Sequence, residues 1–286
     1  MSNLFFGDAL AVLNVLEDES VDFVLTDPPY FINEEVSVIR RGNVMKYKGK
    51  NRNFFEGTEW DRQWGDKEEY YNWIDLVMTH LVRVLKADRH LVIWCDKKNI
   101  TVLANIGERL GCKFRTPWWW QKTNPCPQAR KVSPNKTIEA ALWFTKGKPK
   151  QNRYNWQLGM VNDVITAPVP QKQGAEKRHP TQKPLKVALL LVAFLSKPGN
   201  LVLDPFCGAG TFLKAAQVLG REFLGVEKNK EWVEVARKRL QSDGGAARKE
   251  AEKLKQELLR VKPKVINREE FDKLFGLEIK QKELFE

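Results

Sequence analysis

An acid, two prolines and a tyrosine stand together at Asp27-Pro28-Pro29-Tyr30, directly after the apolar run Val21-Asp22-Phe23-Val24-Leu25-Thr26. A run of this length, rich in β-branched and aromatic residues, predicts a buried strand. The prolines end it, because each lacks an N–H and the first also restrains Asp27 to an extended backbone. The corner so formed presents one carboxylate, carbonyls without local N–H partners, and one ring. Those groups suit a flat base bearing an amino group: the carboxylate and a carbonyl accept the amino hydrogens while the ring stacks on the base. A strand stop with a surface tyrosine is the plain alternative, and the tetrapeptide alone does not separate the two.

A second group of residues points to a nucleoside-bearing ligand. Leu203-Asp204-Pro205-Phe206-Cys207-Gly208-Ala209-Gly210-Thr211 follows a strand and opens a helix, where a Gly-rich turn lets a ligand approach the backbone at a helix N-terminus. Glu227 ends the next strand, where an acid commonly accepts hydrogen bonds from ribose hydroxyls. The turn lacks the third glycine of the dinucleotide fingerprint. By itself it leaves a nicotinamide dinucleotide and S-adenosylmethionine both open. His179-Pro180-Thr181-Gln182-Lys183-Pro184 places polar groups at the start of another helix, and Phe6-Gly7-Asp8-Ala9 sets an acid after a short apolar strand, placed to accept from an adenine amine.

The elements that must position these residues alternate. Periodicity predicts helices over 67–86, 99–110, 185–195, 211–219 and 230–240, and strands over 90–94, 114–121, 140–145, 201–203 and 223–226, besides the two already named. Alternation of this kind implies an open, mostly parallel, doubly wound α/β sheet. Residues 34–66 are polar and basic without a steady period, and read as a mobile lid. Residues 151–178 read as irregular, and about 148–178 as a small target-recognition segment. Ser242-Asp243-Gly244-Gly245 reads as a helix stop, after which 241–286 forms a charged helical extension that is expected to dock on the domain.

Composition narrows the partners. The chain of 286 residues carries 48 Lys and Arg against 36 Asp and Glu, a formal charge of +12. Between Lys113 and Lys183 there are fourteen basic residues against three acids, Glu139, Asp163 and Glu176. A second cluster, Arg40, Arg41, Lys46, Lys48, Lys50 and Arg52, follows the DPPY corner. Basic blocks on either side of a base-shaped corner suit a phosphate backbone. The four cysteines are scattered without a CxxC pair and the three histidines stand far apart, so no metal site is expected. With no long apolar stretch and no signal-like start, the expectation is a cytoplasmic protein without membrane contact.

Gly7-Asp8-Ala9, then DPPY, then HPTQKP, then Asp204 to Thr211, in that order, resembles the S-adenosylmethionine-dependent amino-methyltransferases of DNA. The order matches the permuted beta class, in which the catalytic motif precedes the cofactor motif. The resemblance covers about residues 4–240, and Trp120 to Pro125 and Trp143 to Gly147 resemble connecting motifs of the group. It implies a Rossmann-like, seven-stranded sheet over residues 1–240, double-stranded DNA as substrate, and methyl transfer to an exocyclic amine of a flipped base. Asp27, Pro28, Pro29 and Tyr30 would form the catalytic corner. The cofactor's methionine end would lie near Asp204, Phe206, Gly208 and Gly210, with Thr181 and Lys183 close by. Glu227 would hold the ribose and Asp8 the adenine; Asp27, Ala9, Cys207 and Thr211 complete the cofactor set.

Within the family an Asp at the first motif position leans towards adenine N6, which is the favoured target, with cytosine N4 as the alternative. The resemblance is compatible with a homodimer and with a cognate restriction endonuclease. RNA as substrate, or a non-catalytic nucleic-acid-binding protein, are the more distant readings. Pro125-Cys126 resembles the nucleophile of cytosine-C5 methyltransferases, but that chemistry leaves the DPPY corner without a purpose.

Overall fold

The Val21–Thr26 run forms a strand with every residue buried, and it lies at the centre of an eight-stranded sheet. The structure, a computed structural model, describes residues 2–31, 63–125, 134–147, 154–170, 179, 181–261 and 267–277. In chain order the elements are β1 (Asn3–Phe6), α1 (Ala9–Val15), β2 (Val21–Thr26), α2 (Lys67–Val84), β3 (Leu85–Cys95), α3 (Ile100–Arg109), β4 (Cys112–Lys122) and β5 (Ile138–Lys146). They continue with β6 (Val164–Ala167), α4 (Leu185–Leu195), β7 (Leu201–Asp204), α5 (Thr211–Val218), β8 (Glu222–Glu227), α6 (Lys230–Gln241), α7 (Gly245–Val261) and α8 (Arg268–Phe275).

The strand order is β1-β8-β7-β2-β3-β5-β4-β6. Neighbours are parallel except at β3–β5 and β5–β4. The expected seven strands become eight because Val164–Ala167, inside the stretch read as irregular, pairs parallel with Trp119–Lys122 at the sheet edge. Four residues before Pro168 are too few to show a period, and their pairing partner lies some forty residues away in the chain. Residues 32–62, with most of the expected lid and its basic cluster, lie outside the described residues, as do Cys126 and the two ends of the 148–178 segment.

Helices cover both faces, as a doubly wound sheet requires. On one face α1, α2 and α3 pack over β2, β3 and β5 through Leu13, Ile74, Met78, Leu81, Leu103 and Phe144. On the other, α4 and α5 pack over Phe23, Leu25, Trp94 and Val202. Helix α4 is apolar all round, with Val187 to Leu195 buried, and a helix of that kind needs cover on every side. The cover is the C-terminal extension. Ala251, Leu254 and Leu258 of α7 and Phe271 and Phe275 of α8 join the same core, and Lys186 Nζ meets Glu257 Oε2 at 2.8 Å. The Arg221 guanidinium, buried, donates to the carbonyls of Leu219, Phe275, Ser196 and Leu274. Helices α7 and α8 therefore share the core of the sheet domain.

An acid inside β2 needs an account. Asp22 is buried, which would raise its pKa, but the Leu201 amide, Lys86 and Arg89 bind its carboxylate and hold it below the usual range. The pairing joins β2 to β7 near its start and to the β3 segment beside it.

Because β1, β8, β7, β2 and β3 all run in one direction, their carboxyl ends share one rim of the sheet. Strand β5 runs the other way, so its first residues come to that same rim beside the end of β4. No helix among the described residues is long and apolar enough to cross a membrane.

Candidate active site

The β2 and β7 ends are neighbours, with Val24 opposite Leu203. That register sets Asp204 beside Leu25, two residues before Asp27, although the two acids come from distant parts of the chain. Thr26 Oγ1 donates to Asp204 Oδ1 at 2.8 Å, and the Phe206 amide donates to the same oxygen at 3.2 Å. The DPPY corner and the Gly-rich turn are thus tied directly. Asp204 is buried, and burial pushes its carboxyl up to about 8, against the pull of Thr26 and the Phe206 amide.

Both oxygens of Asp27 carry donors. The Tyr30 hydroxyl donates to Oδ1, and Lys183 Nζ lies 2.5 Å from Oδ2. Lys183 is only 4% exposed and also meets the Tyr30 hydroxyl at 3.1 Å and Glu139 Oε2 at 3.2 Å. Its ammonium sits over the Trp94 and Tyr30 rings, 5.0 and 5.4 Å from their centroids. Glu139 Oε1 in turn meets Lys122 Nζ at 2.6 Å. The result is a chain of alternating charge, Lys122–Glu139–Lys183–Asp27. Burial alone would lower the Lys183 pKa, but Asp27 and Glu139 more than offset this and hold it above its ordinary value. Burial would raise Glu139, yet Lys183 and Lys122 keep it below the usual carboxylate range. For Asp27 burial wins and its pKa is raised, with Lys183 opposing.

Around this corner, Asn99 Nδ2 donates to the Tyr30 carbonyl at 3.3 Å, and Asn99 Oδ1 accepts from the Tyr71 hydroxyl. Phe31 has a φ of 59°, a left-handed backbone seldom adopted by a bulky residue, and its ring stacks on Tyr70 at 5.8 Å. Packing on α2 thus holds the turn that carries the chain away from Tyr30.

The cofactor side is made largely of backbone. Gly208 and Gly210 have φ of 49° and 75°. A Cβ on Gly210 would lie 3.0 Å from the Ala236 Cβ of α6, and one on Gly208 would press on the His179 ring. The Gly208 amide donates to Glu227 Oε2 at 2.9 Å and the Asn229 amide to Oε1 at 2.7 Å, which orients the carboxylate at the end of β8. Cys207 is buried, and burial raises its thiol well above the ordinary range, so the residue serves the turn through its backbone. Thr211 opens α5.

Asp8 caps α1, its Oδ1 accepting from the Leu10 and Ala11 amides, and Ala9 is buried in the first turn. That leaves Asp8 Oδ2 for another partner; Lys228 Nζ stands 3.8 Å away. Thr181 Oγ1 meets His179 Nδ1 at 3.1 Å, and the His179 ring packs edge-on to Trp232 at 4.7 Å. Burial and the nearby Lys183 and Arg239 push His179 down to about 4, so it is neutral at neutral pH.

Glycines with left-handed φ, an acid at the next strand end and a free helix start fit an adenosine-type ligand with a polar tail. The structure brings Asp27, Tyr30 and Lys183 together at the end of β2, ties Asp204 to Thr26 beside them and sets Gly208 against Glu227, while the Phe206 ring packs on Trp73 of α2. It puts the Lys183 ammonium on the Asp27 carboxylate, whereas the sequence reading gave it to the cofactor alone.

Four residues escaped the sequence reading. Glu139 and Lys122 complete the charge chain, and Trp94 supports Lys183. Arg239 of α6 donates to the Ala209 carbonyl at 2.6 Å, Thr211 Oγ1 at 2.9 Å and Gln182 Oε1 at 3.1 Å, clamping the HPTQKP segment to the Gly turn. The signal for Glu139 was present: a lone acid opening an apolar strand within a strongly basic block.

Comparison with known proteins agrees with this geometry. The type II methyltransferase M.HinfI of Haemophilus influenzae is 29% identical over 84% of this chain and 68% of its own. M2.DpnII of Streptococcus pneumoniae, also a type II methyltransferase, is 31% identical over 84% of this chain and 90% of its own. Among solved structures, the M1.HpyAVI–SAM complex covers 84% of this chain and 100% of its own, with a TM-score of 0.63 and 24% identity. The cytosine-N4-specific PvuII DNA methyltransferase covers 91% and 93%, with a TM-score of 0.66 and 18% identity. At those identities the structures speak to the fold. The DNA methylase (N6/N4 methyltransferase) family profile matches residues 21–238. The match takes in the DPPY corner, the charge chain and the Gly turn, and the chain belongs to this family of S-adenosylmethionine-dependent DNA methyltransferases.

Proposed function

We propose that this DNA methyltransferase modifies adenine N6, with Asp27, Pro28, Pro29 and Tyr30 as the corner that holds the flipped base. The observation that carries this reading is the Asp27 carboxylate, set at the end of β2 and joined through Thr26 and Asp204 to the Gly turn at the end of β7. S-adenosylmethionine, when bound, supplies a methyl group on a positively charged sulfur. Gly208, Gly210, Phe206 and Asp204 would hold its methionine end, with Thr181, Cys207 and Thr211 shaping the turn. Glu227 would hold the ribose, and Asp8 with Ala9 the adenine.

An exocyclic amine is a poor nucleophile because its lone pair is delocalised into the ring. Asp27 and the Pro28 carbonyl accept its two hydrogens and favour a pyramidal nitrogen. Tyr30 stacks on the base and fixes its plane. These contacts strengthen as positive charge grows on nitrogen, so they act on the transition state more than on the ground state. A base within a duplex cannot reach such a corner and is flipped out at a cost of a few kcal/mol. Phosphate contacts from the basic residues of 34–66 and of 113–183 offset that cost, with 148–178 as the recognition segment. Action in the cytoplasm, a homodimer and a partner restriction endonuclease fit the same reading.

Cytosine N4 offers the corner the same two hydrogens and is the second reading. The test is incubation of the protein with unmethylated duplex DNA and tritiated S-adenosylmethionine, followed by digestion and separation of nucleosides. Label in N6-methyldeoxyadenosine is expected. Label in N4-methyldeoxycytidine would move the assignment to cytosine, and unlabelled DNA would refute both.

A further inference from the structure

Asp27 has two carboxylate oxygens, and both are taken. If Asp27 accepts the target amine, as proposed above, one of its donors must give way. Tyr30 belongs to the same rigid corner, so the mobile donor is Lys183, whose long side chain reaches Asp27 from outside that corner. Lys183 cannot retreat to water: it is buried, and an ammonium stripped of partners in such surroundings is strongly unfavourable. A second carboxylate oxygen, Glu139 Oε2, already stands 3.2 Å from it. Glu139 is itself held in place from its other oxygen by Lys122 at 2.6 Å.

We infer that Glu139 is a positioning residue that receives the Lys183 ammonium when the target amine docks on Asp27, freeing Asp27 Oδ2 to accept an amine hydrogen. Before docking, the Lys183 ammonium opposes the protonation that burial favours at Asp27. After docking, Glu139 neutralises the same cation, so Asp27 Oδ2 faces the growing charge on the amine nitrogen without the ammonium beside it, while Tyr30 still donates to Oδ1. No bond to carbon or sulfur changes in this exchange; one ammonium hydrogen bond moves from Asp27 to Glu139. The other groups near the exchange do not compete for the cation. Cys95 at the end of β3 has its thiol pushed up to about 12 by burial. Asp204 is held largely protonated, His179 is neutral, and the Tyr30 phenol is raised well above its ordinary range.

The test is single-turnover methyl transfer by the full-length protein to duplex genomic DNA from a methylation-deficient host, measured across pH. Lys183→Met leaves Asp27 buried without its cation, so the acidic limb of the rate profile should move to higher pH. Glu139→Gln removes a repelling carboxylate and leaves Lys183 wholly to Asp27. Its acidic limb should move to lower pH while the plateau rate falls about 100-fold, and Glu139→Asp should recover part of that loss. Opposite displacements of the two limbs, with cofactor affinity and unfolding midpoint of Glu139→Gln near wild type, are the expected result. A Glu139→Gln plateau equal to wild type, a limb that stays or rises, or a loss explained by a lowered unfolding midpoint overturns the inference. Failure of the underlying assignment would show differently, as turnover retained in Asp27→Ala.

Discussion

On the parallel side of the rim, where β1, β8 and β7 end beside β2, the groups available to a ligand are mostly main chain. Gly208 and Gly210 make room, the Gly208 and Asn229 amides aim Glu227, and Asp8 is anchored by the amides of α1. On the mixed side, where β5 runs against β3 and β4, the working groups are charged side chains in alternation: Lys122, Glu139, Lys183 and Asp27. A backbone-built half is sensitive to added volume and responds to pH only through the acids that end its strands, Asp204 and Glu227. A half built from buried ion pairs tolerates little change of charge and must respond to pH. The same rim therefore fails in two separable ways.

The strongest break falls on the charged half. Asp27→Ala should lower methyl transfer by about 10³-fold or more while cofactor affinity by calorimetry stays near wild type. The backbone half breaks by volume. Gly210→Val adds a side chain at a φ of 75° with Ala236 only 3.0 Å from the first added carbon. A stability loss of about 1–3 kcal/mol by chemical denaturation and weakened cofactor binding are expected.

Arg239→Ala tests the clamp between the halves. Losing its bonds to Ala209, Thr211 and Gln182 should weaken cofactor binding about tenfold, with a smaller effect on the rate at saturating cofactor. The last effect is a slope. Asp204 keeps its proton in the folded protein up to about pH 8, whereas the unfolded chain releases it near its ordinary value of 3.8. Folded protein then binds more protons than unfolded protein between about pH 4 and 8, so this group makes stability fall as pH rises through that window. Asp204→Asn should flatten the decline in unfolding free energy across it, and an unchanged slope would show that Asp204 is ionised in the fold.

The halves also differ in how far they could be read from residues alone. Motifs at the carboxyl ends of parallel strands are local in the chain: a strand, a turn and a helix start follow one another, as at Leu203 to Thr211. The DPPY corner, the Gly turn and helix 185–195 were legible for that reason. Glu139 lies at the start of a strand, and only the antiparallel setting of β5 brings it to the rim. The position of Lys183 was equally hidden. Its contact with Asp27 spans 156 positions and depends on how α4 is seated against the sheet. Strand β6 was missed because its four residues are defined by their pairing with β4, not by any period of their own.

The bond between Thr26 and Asp204 closes a loop of 178 positions. Synthesis proceeds from the N-terminus, so β2 and its Pro-Pro corner leave the ribosome long before β7 exists to sit beside them. Until then the apolar run from Val21 to Thr26 has no neighbour on that side, and Lys183 has not been made. Contacts of such long sequence separation are also slow to form, because the entropy of closing the loop is lost before the contact is gained. The part of the enzyme proposed to hold the base is made long before the strand and the lysine that complete it, which leaves the nascent chain dependent on keeping one edge of a sticky strand unpaired in the meantime.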